Sequence, residues 1–181
     1  YSSGSQNVLI GRSAGNLMYS GSDDVYIGYS AGYYATGSKN TFVGSQAGRG
    51  GVTSAPYSSG GNNTAVGERA FYSHTTGDNN VAIGYLTMYA STTARYNTAL
   101  GNSALFGNTS GQANISIGQD SLASSQTANN MVSIGYQSQF SSNHVDTSGN
   151  VAVGYTALRM NVKGAQNVAI GDEAGRYATG S

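Results

Sequence analysis

Residues 79–88 read NNVAIGYLTM, and the phrase returns along the chain with few changes. It recurs as NNTAVGERAF at 62–71, YNTALGNSAL at 96–105, ANISIGQDSL at 113–122, GNVAVGYTAL at 149–158 and QNVAIGDEAG at 166–175. Aligned on its glycine, the phrase has ten anchors: Gly11, Gly28, Gly44, Gly67, Gly84, Gly101, Gly118, Gly135, Gly154 and Gly171. Successive anchors lie 17, 16, 23, 17, 17, 17, 17, 19 and 17 residues apart. Six equal intervals mark a structural repeat, which leaves the two longer ones as insertions into a regular coil. Residues 49–62 hold the larger insertion and the only proline, Pro56, and read as a surface loop.

Each place in the phrase has a physical task. Before every anchor stands an aliphatic residue: Ile10, Ile27, Val43, Val66, Ile83, Leu100, Ile117, Ile134, Val153 and Ile170. Two places earlier stands Val, Thr or Ile, so both positions share one face of a strand. This reading assigns that aliphatic face to the interior. The residue between is Ala or Ser in the last seven copies, small enough for another sheet to approach closely. Glycine ends the strand in a conformation costly for a residue with a Cβ. Asn opens eight copies, Asp24 and Met131 being the exceptions, and can bond to turn backbone and stack with its equivalents.

The period excludes several architectures. Helical repeats are longer and rich in helix formers. A hexapeptide helix needs aliphatic residues six places after each Ile or Val, where this chain has Asn16, Tyr33, Arg49, Tyr72, Tyr89, Phe106, Ala123, Phe140, Arg159 and Arg176. No GGxGxD nonapeptide of a calcium-binding β-roll occurs. What remains is all-β: a parallel β-solenoid of about ten 17-residue coils stacked at ~4.8 Å, on the order of 48 Å long. The whole chain, 1–181, reads as one repeat segment, with variant coils at 1–48, an inserted loop at 49–62 and regular coils at 63–181. Its end, RYATGS at 176–181, echoes YYATGS at 33–38, as expected of a piece of a longer protein.

Composition narrows the function classes. Only 9% of the 181 residues are charged, and eight basic residues balance eight acidic ones. Without net charge there is no field to draw in nucleic acid or an anionic membrane. Cysteine is absent, and no apolar run reaches membrane-spanning length. Three apolar side chains per coil make a thin core against ~1–2 kcal/mol of backbone entropy per residue. A lone chain is therefore marginal, and the Ala/Ser face is expected to pack against further copies in a closed homo-oligomer. The first three copies carry Leu9, Tyr26 and Phe42 in place of Ala or Ser, which suggests a different interface or partner there.

NVAIGYLTM (80–88) and NVAIGDEAG (167–175) resemble the N-x-V-A-I-G-x-x-S/A repeat in the YadA-like heads of trimeric autotransporter adhesins. They are similar also to repeats in some phage tail fibres and bacterial surface fibres. The resemblance covers all ten copies. It implies a homotrimer of left-handed parallel β-rolls, one strand of each coil lining the axis, in an extracellular fibre that attaches to a host surface or matrix. The coil here is longer than in those heads, and no part of the chain resembles their neck, stalk or anchor. The motif positions are structural, so no ligand-binding residue carries over.

Catalytic and metal signatures are missing from the sequence. His74 and His144 fall in separate inter-repeat segments and read as exposed loop residues; no metal or other cofactor is expected. Asp23–Asp24 and Asp172–Glu173 read as solvated turn charges. Sequons begin at Asn62, Asn108 and Asn114, the last at a ladder position. Tyr29, Tyr85, Tyr136 and Tyr155 follow anchor glycines directly and form a partial ladder, while other tyrosines fill the variable segments. The expected function is thus non-enzymatic: a structural segment of an adhesive fibre on a bacterial surface or virion. The alternative is a recognition module whose Tyr-, Ser- and Asn-rich loops bind glycan or protein. An ice-binding solenoid needs a flat threonine ladder that the scattered threonines do not supply; a filament subunit joined through open sheet edges is a further option.

Overall fold

The computed structural model describes residues 4–51, 57–141, 148–161 and 163–178. Pro56 and His144 lie outside them, as does the middle of the inserted loop. Ten three-residue strands follow in chain order: β1 (Val8–Ile10), β2 (Val25–Ile27), β3 (Thr41–Val43), β4 (Thr64–Val66), β5 (Val81–Ile83), β6 (Thr98–Leu100), β7 (Ile115–Ile117), β8 (Val132–Ile134), β9 (Val151–Val153) and β10 (Val168–Ile170). They form one parallel sheet in sequential order, and no helix occurs among the described residues. Nine turns of a β-solenoid join them. The register is that of the repeat: Ile83 pairs with Leu100, and Leu100 with Ile117.

Coils are also bonded outside the sheet. Between the fifth and sixth, Met88 N donates to Ala104 O at 2.9 Å, Ala90 N to Phe106 O at 2.9 Å and Thr92 N to Thr109 O at 3.0 Å. Such bonds satisfy backbone groups that turns would otherwise leave unpaired. The anchor glycine is required twice over. Gly84 has φ +136°, and a Cβ there would stand 2.5 Å from the carbonyl oxygen of Gly101 in the next coil. Three further places per coil turn left-handed, in the fifth coil Asn79 (φ 58°), Leu86 (φ 55°) and Met88 (φ 52°). Such backbone is unusual for Leu and Met. Burial of Met88 and its bond to Ala104 offset the strain.

The strands face the opposite way from the sequence expectation. Their central residues are the interior: Ala65, Ala82, Ala99, Ser116, Ser133 and Ala152 are fully buried. The aliphatic residues assigned to the core point outward. Ile10, Ile83, Leu100 and Ile170 are 56%, 37%, 45% and 70% exposed, while Ile27, Val43, Val66, Ile117, Ile134 and Val153 are half-buried. The face expected to receive a partner chain is therefore occupied by the chain's own core.

What fills that core explains the choice. The residue four places past the anchor turns inward, and Phe71, Met88, Leu105, Leu122 and Leu158 fill the space over the small strand residue. In the first three coils the volumes are exchanged. Leu9, Tyr26 and Phe42 project from the strand, and Gly15, Gly32 and Gly48 make room for them. A Cβ on Gly32 would stand 2.5 Å from the Tyr26 ring. The variant coils at the start are thus an alternative filling of the same cross-section, and a special partner is not needed to explain them. Tyr26 stacks on Phe42, ring centroids 5.1 Å apart. Where serine replaces alanine its hydroxyl is used internally: Ser121 Oγ donates to Ser133 Oγ at 2.8 Å, and Ser133 Oγ to Ser138 O at 2.9 Å.

Candidate functional site

Three linear arrays run along the solenoid. The first is buried. Asn40 Oδ1 accepts from the backbone N and the Nδ2 of Asn63, at 3.0 and 3.2 Å. Asn63, Asn80 and Asn97 repeat the arrangement toward the next coil, at 2.9–3.1 Å. Each amide also donates across to the turn of the following coil, as Asn97 Nδ2 does to Gly111 O at 2.9 Å. Buried amides in such a chain are worth holding, because an orphaned partner costs ~1–3 kcal/mol. Met131 interrupts the array by offering no amide.

Asp24 interrupts it with a carboxylate. It is fully buried, in contrast to the solvated turn charge expected, whereas Asp23 beside it is exposed. Its Oδ1 accepts from Asn40 N at 2.8 Å, and its Oδ2 has no hydrogen-bond partner. Burial raises its pKa to about 6, although the bond from Asn40 opposes the rise. Burial, with Asp24 nearby, also holds the Tyr26 hydroxyl far above its ordinary range.

His74 departs from expectation in the same direction. It is buried rather than looped out, its ring stacked 4.9 Å from Phe71 and edge-on to Phe42 at 5.4 Å. Neither ring nitrogen has a hydrogen-bond partner, and burial lowers its pKa to about 4. Among the described residues no group of three or more His, Asp or Glu could hold a metal ion. Asn108 and Asn114 are buried, which leaves Asn62 as the exposed sequon asparagine.

The second array is aromatic and lies on the turns. Tyr72, Tyr89 and Phe106 stand five places past successive anchors and stack at 5.0 and 5.3 Å. The Arg49 guanidinium, at the equivalent place, lies 5.3 Å over Tyr72 and 4.9 Å over Tyr34. Tyr136 and Tyr155 stack at 5.4 Å, a short section of the ladder expected directly after the anchors.

The third array is the outward aliphatic face of the sheet. Nine rung spacings of ~4.8 Å and a strand width of roughly 10 Å give on the order of 400 Å² of flat surface. That is comparable to the largest apolar patch of a typical monomer, about 300–600 Å², which is often an interaction site. The anchor glycines Gly11 to Gly171 border it along its whole length. Sequence reasoning found every residue of this face and misplaced only the side on which it lies. No helix among the described residues is long and apolar enough to cross a membrane. Compared with known proteins, the chain matches no family model, no curated protein and no solved structure.

Proposed function

We propose that this chain is a rigid, non-enzymatic segment of an extracellular adhesive fibre, on a bacterial surface or a virion. Three left-handed β-rolls would stand side by side with their aliphatic faces on a common axis. The observation that carries the reading is the position of Ile83, Leu100, Ile115 and their equivalents: a column of Ile, Val and Leu beside a column of Val, Thr and Ile, both aimed outward from one sheet. Burying such columns is favourable by ~25 cal/mol per Å². A closed arrangement of identical chains buries them with no unmatched surface. The resemblance to YadA-like heads supports the number three, and it supports attachment to a host surface or matrix as the biological end.

The test separates spacing from recognition. As a spacer, the immobilised segment holds no cells, matrix proteins or glycans above background, while a longer fibre containing it does. Binding by the isolated segment, lost on substitution of turn tyrosines such as Tyr72 and Tyr89, would instead support recognition through the aromatic turns.

A further inference from the structure

The aromatic array has a gap. Five places past successive anchors stand Tyr72, Tyr89, Phe106, Ala123 and Phe140, so the stacked series breaks at one alanine. Ala123 contributes only a methyl group, and the rings on either side belong to coils two spacings apart, about 9.6 Å. The neighbouring stacks sit at 5.0 and 5.3 Å, so one planar group placed over Ala123 would meet both phenyl faces at normal stacking distance. The gap is an open cleft of about 370 Å³, walled by Phe106 and Phe140, floored by Ala123 and rimmed by Leu86, Ser103 and Asp120.

The rim supplies the charge. Asp120 is half-buried, and its Oδ2 accepts one weak bond, from Gln119 Nε2 at 3.3 Å. Among the described residues the ion pairs are Glu68–Arg69, Asp78–Arg95 and Glu173–Arg176, and none reaches Asp120. The chain also shows what suits such a gap. Arg49 occupies the equivalent place in the third coil and lies against Tyr34 and Tyr72. Arg159 covers Phe140 at 5.6 Å from its own coil. Guanidinium is planar, weakly hydrated and stacks on aromatic faces, and its fork matches a carboxylate. A pyranose ring could stack here too and donate its hydroxyls to Asp120, but only a guanidinium brings the opposite charge as well.

We infer that the cleft over Ala123 is a socket for the arginine side chain of a protein partner, stacked between Phe106 and Phe140 and paired with Asp120. The socket lies on the turns rather than on the aliphatic face, so the inference does not depend on the fibre reading.

The test is a titration of the folded protein with N-acetyl-arginine amide, followed through the methyl signals of Ala123 and Leu86. Saturable shifts in the millimolar range are expected, with a clearly weaker response to N-acetyl-lysine amide. Asp120→Asn should weaken binding about tenfold, equivalent to ~1.4 kcal/mol. Asparagine tolerates the left-handed backbone at this position (φ 55°), so the fold is retained. Ala123→Arg, which fills its own socket, should abolish the response. Absence of saturable shifts, an equal response to the lysine probe, or a preference for methyl glucopyranoside would overturn the assignment.

Discussion

At residue 24 an aspartate stands where eight other coils have asparagine, and that single oxygen-for-nitrogen exchange makes the fold sensitive to pH. Its folded pKa, about 6, lies above the ordinary value of 3.8, so the folded state holds the proton more tightly. The stability this proton contributes is complete below pH 3.8 and is lost as pH rises through 6. Asp24→Asn should therefore raise Tm most above pH 7, by the equivalent of ~1–3 kcal/mol, and little at pH 4. Thermal melts of both proteins across that range check it. His74 acts with the opposite sign. Its folded pKa, about 4, lies below 6.5, so its contribution is complete above pH 6.5 and is lost as pH falls toward 4. His74→Met, an exchange toward the Met18 found at the same place in the first coil, should flatten the acid side of the melting profile.

Within one coil, the unit that matters is a pair of positions rather than a residue. The strand's central residue and the one four past the anchor share a fixed volume, filled as Ala82 with Met88 or as Phe42 with Gly48. Ala82→Phe alone should overpack the fifth coil and cost about 3 kcal/mol or more. Ala82→Phe with Met88→Gly should recover at least half of that, read as a coupling in a double-mutant cycle of denaturant melts. The same pair shows where sequence reasoning reached its limit. Alternation along Val81-Ala82-Ile83 says which residues share a face, and it is unchanged when the strand is turned over. The glycine period, the asparagine array and the in-register strands were legible, since each residue type admits one physical use at its place. The facing was not, because deciding it needed the contact between Tyr26 and Gly32, six residues apart around a turn. His74 was hidden for a related reason. Its column seven places past the anchor also holds Met18, Ala35, Ser91, Asn108 and Ser125, a mixture that carries no hydropathy signal although all are buried.

For the whole molecule the consequence of the inverted facing is an uncovered apolar wall. A solenoid whose interior is lined by alanine and serine gains little from its own strands. The larger aliphatic side chains remain available for association. Charges placed on that wall should act on assembly before they act on the fold: Ile83→Lys with Leu100→Lys is expected to yield smaller species that keep the β-sheet circular-dichroism signal. Most direct is the sedimentation-equilibrium mass of the unaltered 18.5 kDa chain at micromolar concentration. The account predicts a folded assembly of three chains; a folded, stable monomer with its aliphatic columns open to water would contradict it.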